Sequence, residues 1–360
     1  MLKPWAISLA AAVGMLAAYL LFWPVPISPV RWTPPDAPER IGMYAPNDLL
    51  ADITRLEVGR GPESVAIDGA GRVVCGLEDG RIVRASIGDG SVESIVELDG
   101  RPLGMAFDEM GDLIVCDLSG RLVAVSPNGS LREIVRAVDG EPLGLVNDLD
   151  LAADGTIYVS ESSTETTDTL LDLLEHRAHG RLLAVSPDRE SVDVLLDGLY
   201  YANGVALSPD GSFVLVVETT AYRVRRLWLD GSQRGDDDVF IDNLPGFPDG
   251  ISCDENGIFW LALVNPRNGF IDWALERPWI RRVAARLPLD WFADAAPRVG
   301  FVLGLDGDGN VGYALQDPTG ERFAGISSVF RFGDDLYLGS LLEDAIGRVA
   351  VPAEAGSPDS

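Results

Sequence analysis

The sequence predicts an all-β protein, a six-bladed β-propeller, preceded by an N-terminal transmembrane helix. Two observations carry the propeller and a third carries the helix. After about residue 50 a short strand pair recurs around a turn glycine: SVAIDGAGRVV, GMAFDEMGDLIV, DLDLAADGTIYV, GVALSPDGSFVL and GISCDENGIFW, with SVFRFGDDLYLG as a weaker sixth copy. The turn glycines Gly71, Gly111, Gly155, Gly211 and Gly257 stand 40, 44, 56 and 46 residues apart, the spacing of four-stranded blades with loop insertions. A β-sandwich also alternates strands, but it does not repeat one unit at near-constant spacing. The third observation is the run WAISLAAAVGMLAAYLLFW, Trp5 to Trp23, which carries no charged residue and is long enough for a helix to cross a bilayer core of roughly 30 Å.

Taken in order, the chain divides into a short tail (1–4), the anchor (5–23), a Pro-rich linker (24–45), the propeller (46–355) and a C-terminal tail (356–360). A cleaved signal peptide has a shorter apolar core and a small-residue cleavage site, whereas Pro24, Pro26 and Pro29 follow at once here. The positive flank is only Lys3 and the amino terminus, against Arg31 and Arg40 downstream; the reading is a single-pass membrane protein with its body on the non-cytoplasmic side. The run PVPISPVRWTPPDAPER is expected to be a stiff, extended spacer. The 56 acidic residues against 28 basic ones leave a net charge of −28, which repels phosphate backbones and argues against nucleic acid as a partner. Cys75, Cys116 and Cys253 lie inside apolar runs and are expected to be buried free thiols.

The pair Asn203-Gly204, where a strand begins in LYYANGVALSPDG, is an unusual choice for a buried strand start. Counting eight residues back from each turn glycine gives Glu63, Leu103, Asn147, Asn203 and Asp249. Equal repeat positions of a propeller converge on its axis, so four oxygen-bearing side chains gather in one ring. Two carboxylates and two amides suit Ca²⁺ better than Zn²⁺, whose sites favour His and Cys. A simpler account of any one such Asn or Asp is a strand-end cap; four in register favour the metal.

The motifs ANGVALSPDG, DNLPGFPDGI, RPLGMAFDEMGDLIVCD and LYLGSLLEDAIGRVAV resemble the superfamily that joins strictosidine synthase-like proteins, the adipocyte plasma membrane-associated protein, SMP-30 gluconolactonases and paraoxonases. The similarity runs from about Ile53 to Val351. It implies a six-bladed propeller with a channel calcium held by Glu63, Asn147, Asn203 and Asp249, the four residues the counting gives. Two departures matter. Leu103 stands where paraoxonases carry a histidine, and Ser327 where the plant strictosidine synthases use a glutamate. The resemblance therefore points to a calcium-dependent hydrolase, similar to lactonases and arylesterases, and away from amine–aldehyde condensation.

In that chemistry the ion polarises the carbonyl of a small ester or lactone, Asp249 serves as base or nucleophile, and Asp148 orients the shell. The rival is a non-catalytic ligand- or partner-binding propeller with a structural calcium. Oligomeric state is open. Glu161 and Glu218, after the second strands of their repeats, are expected to rim the pocket. The insertion SSTETTDTLLDLLEHRAHG reads as a short helix over the channel mouth carrying His176 and His179, which serve there as acid or base or, more simply, sit at a solvated helix end. Trp273, Trp279, Trp291 and Phe292, among Arg277, Arg281, Arg282 and Arg286, read either as a membrane-surface contact or as packing on the propeller flank. LDGDGNVGY is a hairpin turn and not a calcium loop, because Val311 occupies the glycine position.

Overall fold

The computed structural model describes residues 3–288, 291 and 297–352. Phe292 and the expected tail at 356–360 lie outside these residues. The described residues form six four-stranded antiparallel sheets and one two-stranded ribbon. Each sheet is one blade, and the expected six-bladed propeller is what the chain builds. The innermost strands are Val65–Ile67, Pro102–Phe107, Leu145–Leu151, Ala202–Leu207, Gly246–Cys253 and Ile326–Phe332. Each lies against the next and the sixth against the first, so the inner strands close a ring. The fourth strand of blade six is not C-terminal: Thr54–Glu57 pairs with Ala345–Ala350, tying the start of the propeller to its end.

Burial follows position in the blade. Second strands such as Val73–Gly76, Leu113–Asp117 and Phe213–Glu218 are buried throughout, because neighbouring blades cover both faces. Outer strands such as Val92–Glu97 are largely exposed and carry the charge. The core lies between blades, as where Val73 and Cys75 of blade one pack with Tyr337 and Ile346 of blade six, or Phe213 and Leu215 of blade four with Phe259 and Phe301 of blade five. Cys75 and Cys116 are buried free thiols as expected, while Cys253 is half-buried.

The repeated turn has a plain physical cause. At Gly71 the backbone takes φ +75°, a region open to glycine at little cost. The Gly71 N–H donates to the Asp68 carbonyl at 2.8 Å, and the Asp68 carboxylate accepts from Ala70 and Arg72. Asp108 with Gly111 and Asp254 with Gly257 repeat the arrangement. Asp306 does the same in LDGDGNVGY, which is a hairpin turn.

A second compact unit is built from three separated stretches: residues up to Pro34, Asp168–Arg177, and the stretch that begins at Asn268 and ends before Pro297. It holds α1 (Pro4–Phe22), α2 (Thr169–Glu175), α3 (Gly269–Leu275) and α4 (Pro278–Ala284). Within α1, Trp5–Phe22 is long and apolar enough to cross a membrane, and none of it is buried. The Pro-rich linker, expected to be a stiff spacer, also makes contacts within this unit. Ile27 is buried, Ser28 N–H donates to Glu175 Oε1 at 2.7 Å, and Trp32 N–H donates to the Leu275 carbonyl at 3.1 Å. Apolar residues interleaved with the prolines give the segment a face to bury.

Candidate metal and active site

Five of the six inner strands break register with their neighbours: at counted positions between Pro102 and Met105, Val146 and Leu149, Ala202 and Val205, and Pro248 and Ile251, and in blade six between Ile326 and Ser328. Such bulges release a side chain from the ladder and re-aim it. Leu103, Asn147, Asn203, Asp249 and Ser327 sit in these breaks, and Glu63 just precedes the short inner strand of blade one. The residue after the break explains the Asn-Gly pair. A β-carbon on Gly204 would lie 2.5 Å from the Asp249 carbonyl, and one on Gly250 2.6 Å from the Ser327 carbonyl. Glycine is needed because adjacent inner strands meet backbone to backbone.

The ring residues make several polar contacts, some of them between neighbouring blades. Asn203 Nδ2 donates to Thr219 Oγ1 at 3.1 Å and to Asp249 Oδ1 through a short hydrogen bond. Asn147 Nδ2 donates to Ser162 Oγ at 3.0 Å, and that hydroxyl donates to the Ala202 carbonyl at 2.6 Å. Ser327 Oγ donates to the Glu63 carbonyl at 2.6 Å. Asp148 Oδ2 accepts from Val205 N–H at 3.0 Å, and Asp150 Oδ2 from Leu207 N–H at 2.8 Å, tying blade three to blade four. In both ring asparagines the amide nitrogen donates within the protein, and the side-chain oxygen is the group left over to accept or ligate.

Charge is the strained quantity here. Burial pushes Asp249 far above the ordinary carboxylate range, and the negative charges of Glu63 and Asp148 push it the same way against Asn203 and Arg101. Burial also raises Glu63, with Arg101 opposing. Asp148 is pushed up to about 7 and Asp150 to about 6, both chiefly by burial. Arg101 escaped the repeat count. Its Nε lies 2.8 Å from Glu63 Oε2, and the available signal was a lone arginine two residues before a ring position in RPLG. Among the described residues no group of three or more His, Cys, Asp or Glu is placed to hold a metal; the four counted ring residues are two carboxylates and two amides.

Other expected site residues fall elsewhere. Glu161 and Glu218 do not rim a pocket; both are fully buried braces. Glu161 accepts from Gly144 N–H and Arg181, and Glu218 from Tyr200 N–H and Arg223. His176 is not a solvated helix end. It is 1 % exposed, stacks on Trp32, and is pushed down to about 3 by burial beside Arg281, so it stays neutral and closed off as an acid or base. The small void between blades two and three, lined by Leu122, Val135, Leu143, Val146 and Val159, is apolar and holds none of the ring residues.

The sequence profile of the SMP-30/Gluconolactonase/LRE-like region matches residues 77–283, and that of the N-terminal region of strictosidine synthase-like proteins matches 42–85. The chain belongs to the SMP-30/gluconolactonase/LRE-like family. Within reach of this family, human adipocyte plasma membrane-associated protein is 33 % identical over 374 aligned positions, covering 96 % of this chain and 89 % of the human one. A gluconolactonase from Xanthomonas campestris matches in structure with a TM-score of 0.63 at 20 % identity, covering 91 % of this chain and 99 % of its own. Regucalcin from Agrobacterium tumefaciens, described as a calcium-binding protein, matches at 0.58 and 18 % identity, covering 82 % and 90 %. At such identities the structural matches speak for the family's fold alone.

Proposed function

We propose that this SMP-30/gluconolactonase family member is a membrane-anchored, calcium-dependent hydrolase of a small ester or lactone. The observation that carries the reading is the charge gathered at the ring: Glu63 and Asp148 raise the proton affinity of buried Asp249, and Glu63 raises that of buried Asp148, a conflict that a hard cation relieves. Glu63, Asn147, Asn203 and Asp249 would hold the ion, with the spare amide oxygens completing the carboxylates. Bound there, calcium supplies Lewis-acid polarisation of a carbonyl and stabilises the developing oxyanion. Asp249 takes a proton from water or attacks the carbonyl. Asp148, with a proton affinity near neutrality, holds or returns a proton beside it. Arg101 balances Glu63 when the ring carries its full negative charge. The body is assigned to the non-cytoplasmic side from the flanking charges.

The test is a screen of aryl esters and lactones against the full chain in detergent, with calcium added and then chelated. Turnover that stops on chelation and returns with calcium supports the reading. A second reading has one observation in its favour. Ring residues already tie blade to blade through Asn203 to Asp249, Asp148 to Val205 and Ser327 to Glu63, as a structural ion would. Calcium binding that raises stability, with no turnover across the screen, would favour that non-catalytic propeller.

A further inference from the structure

The helical unit exposes large apolar side chains that the propeller function does not use. Phe270 is 64 % exposed, Trp279 62 % and Trp291 63 %, with Ile271 and Trp273 also exposed. Monomeric surfaces seldom leave such side chains together without a partner. Three features of the same unit say which partner fits. The first is continuity with α1: Arg286, just past α4, donates through Nε to the Trp23 carbonyl at 2.6 Å, and Tyr19 Oη donates to the Arg286 carbonyl at 3.1 Å. The end of α4 is thereby pinned to the end of the apolar helix, at the level where a spanning segment leaves the hydrocarbon. The second is charge. Between Asn268 and Trp291 stand Arg277, Arg281, Arg282 and Arg286 against Asp272, Glu276 and Asp290, a stretch without the acidic excess of a chain of net charge −28. Arg277 lies over the Trp273 ring, 4.5 Å from its centroid, a cation beside an aromatic as interfacial segments favour.

The third feature is rigidity. Buried Arg281 donates to the carbonyls of Leu174, Glu175 and Leu275 and, through a short bond, to Val30. One guanidinium thus binds the linker, α2, α3 and α4 into one body. Arg177 Nε donates to the Ser28 carbonyl at 2.7 Å and adds a second tie. A rigid amphipathic body joined to a spanning helix has its orientation to the lipid fixed by that joint.

We infer that α3, α4 and Trp291 form a second, interfacial membrane contact, in which Phe270, Ile271, Trp273, Trp279 and Trp291 sit at the headgroup boundary of a bilayer containing anionic lipid. This rests on the reading of α1 as a membrane anchor, so the experiment separates the two. In the full chain, reconstituted in phosphatidylcholine vesicles with a minority of phosphatidylglycerol, Trp279→Cys carries an environment-sensitive fluorophore. The reference is Met110→Cys, on an exposed propeller turn. The expected result is blue-shifted emission at 279 and several-fold weaker quenching by aqueous iodide than at 110, in chain that resists alkaline carbonate extraction. A label at 279 as water-exposed as that at 110, in carbonate-resistant chain, overturns the contact while leaving the anchor intact. If carbonate extracts the chain, the anchor reading fails. Binding of the extracted chain to fresh vesicles, with a blue shift at 279, would then support the contact, and its absence would refute it.

Discussion

At the scale of single residues, the proposed function assigns chemistry and metal holding to separable groups of the ring. Asp249→Asn keeps an oxygen for the ion but removes the basic carboxylate, so hydrolysis should fall by on the order of 10²-fold or more while calcium binding persists. Kinetics and calorimetry on one preparation check both halves; parent-like turnover with calcium bound would move the base elsewhere, with Asp148 next. Asn203→Ala should weaken calcium first, with activity partly restored by excess ion. Because burial raises the proton affinity of Asp249 and Glu63, and the charges of Glu63 and Asp148 add to it at Asp249, calcium uptake should release protons and tighten as pH rises. Titrations in buffers of different ionisation enthalpy measure that release. The four ring residues were legible because a fixed count from a turn glycine is a geometric rule. Arg101 was not legible, since an ion pair between successive blades leaves no period in the sequence.

At the scale of strands and helices, the close approach of inner strands makes glycine at 204 a packing requirement. Gly204→Ala should lower stability by about 1–3 kcal/mol, the usual cost of overpacking, read by denaturant titration. The strand-end carboxylates make a different demand. Glu161 faces Arg181, and Glu218 faces Arg223, in register across their ladders. Arg181→Met would leave Glu161 buried and unpaired, at a cost of roughly 3–5 kcal/mol, whereas replacing both partners by apolar residues should recover much of it. The sequence announces a carboxylate at the end of a strand; which arginine covers it depends on hairpin register, which an unaligned sequence does not display. The linker shows the same limit. Its prolines read as a spacer, and only the packing of Ile27 and Trp32 reveals an anchored segment.

At the scale of the whole molecule, the buried carboxylates set how stability responds to pH. Asp148 and Asp150 are held at about 7 and about 6, above the ordinary carboxylate value of roughly 4. The folded chain therefore keeps protons that the unfolded chain releases. Their stabilising contribution is complete below about pH 4 and is lost as pH rises through about 6 to 7. The calcium-free protein should melt at progressively lower temperature from about pH 5 to 8. Added calcium should raise the melting temperature more at the upper end of that range than at the lower, which scanning calorimetry can follow. The six blades were legible because each is one sequence unit with one turn. The closing strand was not, because Thr54–Glu57 belongs to no repeat.

That closing strand bears on how the molecule is made. Thr54 Oγ1 donates to the Arg348 carbonyl, its partner 294 residues later in the chain. The segment that leaves the ribosome just behind the apolar helix must therefore wait, unpaired, until almost the entire chain has been synthesised. A product ending before Ala345–Ala350 retains five complete blades, a sixth with two strands, and two bare edges, Thr54–Glu57 and Asp335–Ser340, that the missing strand ordinarily covers. Exposed edges of that kind recruit other chains. Such a stalled chain would be prone to aggregate.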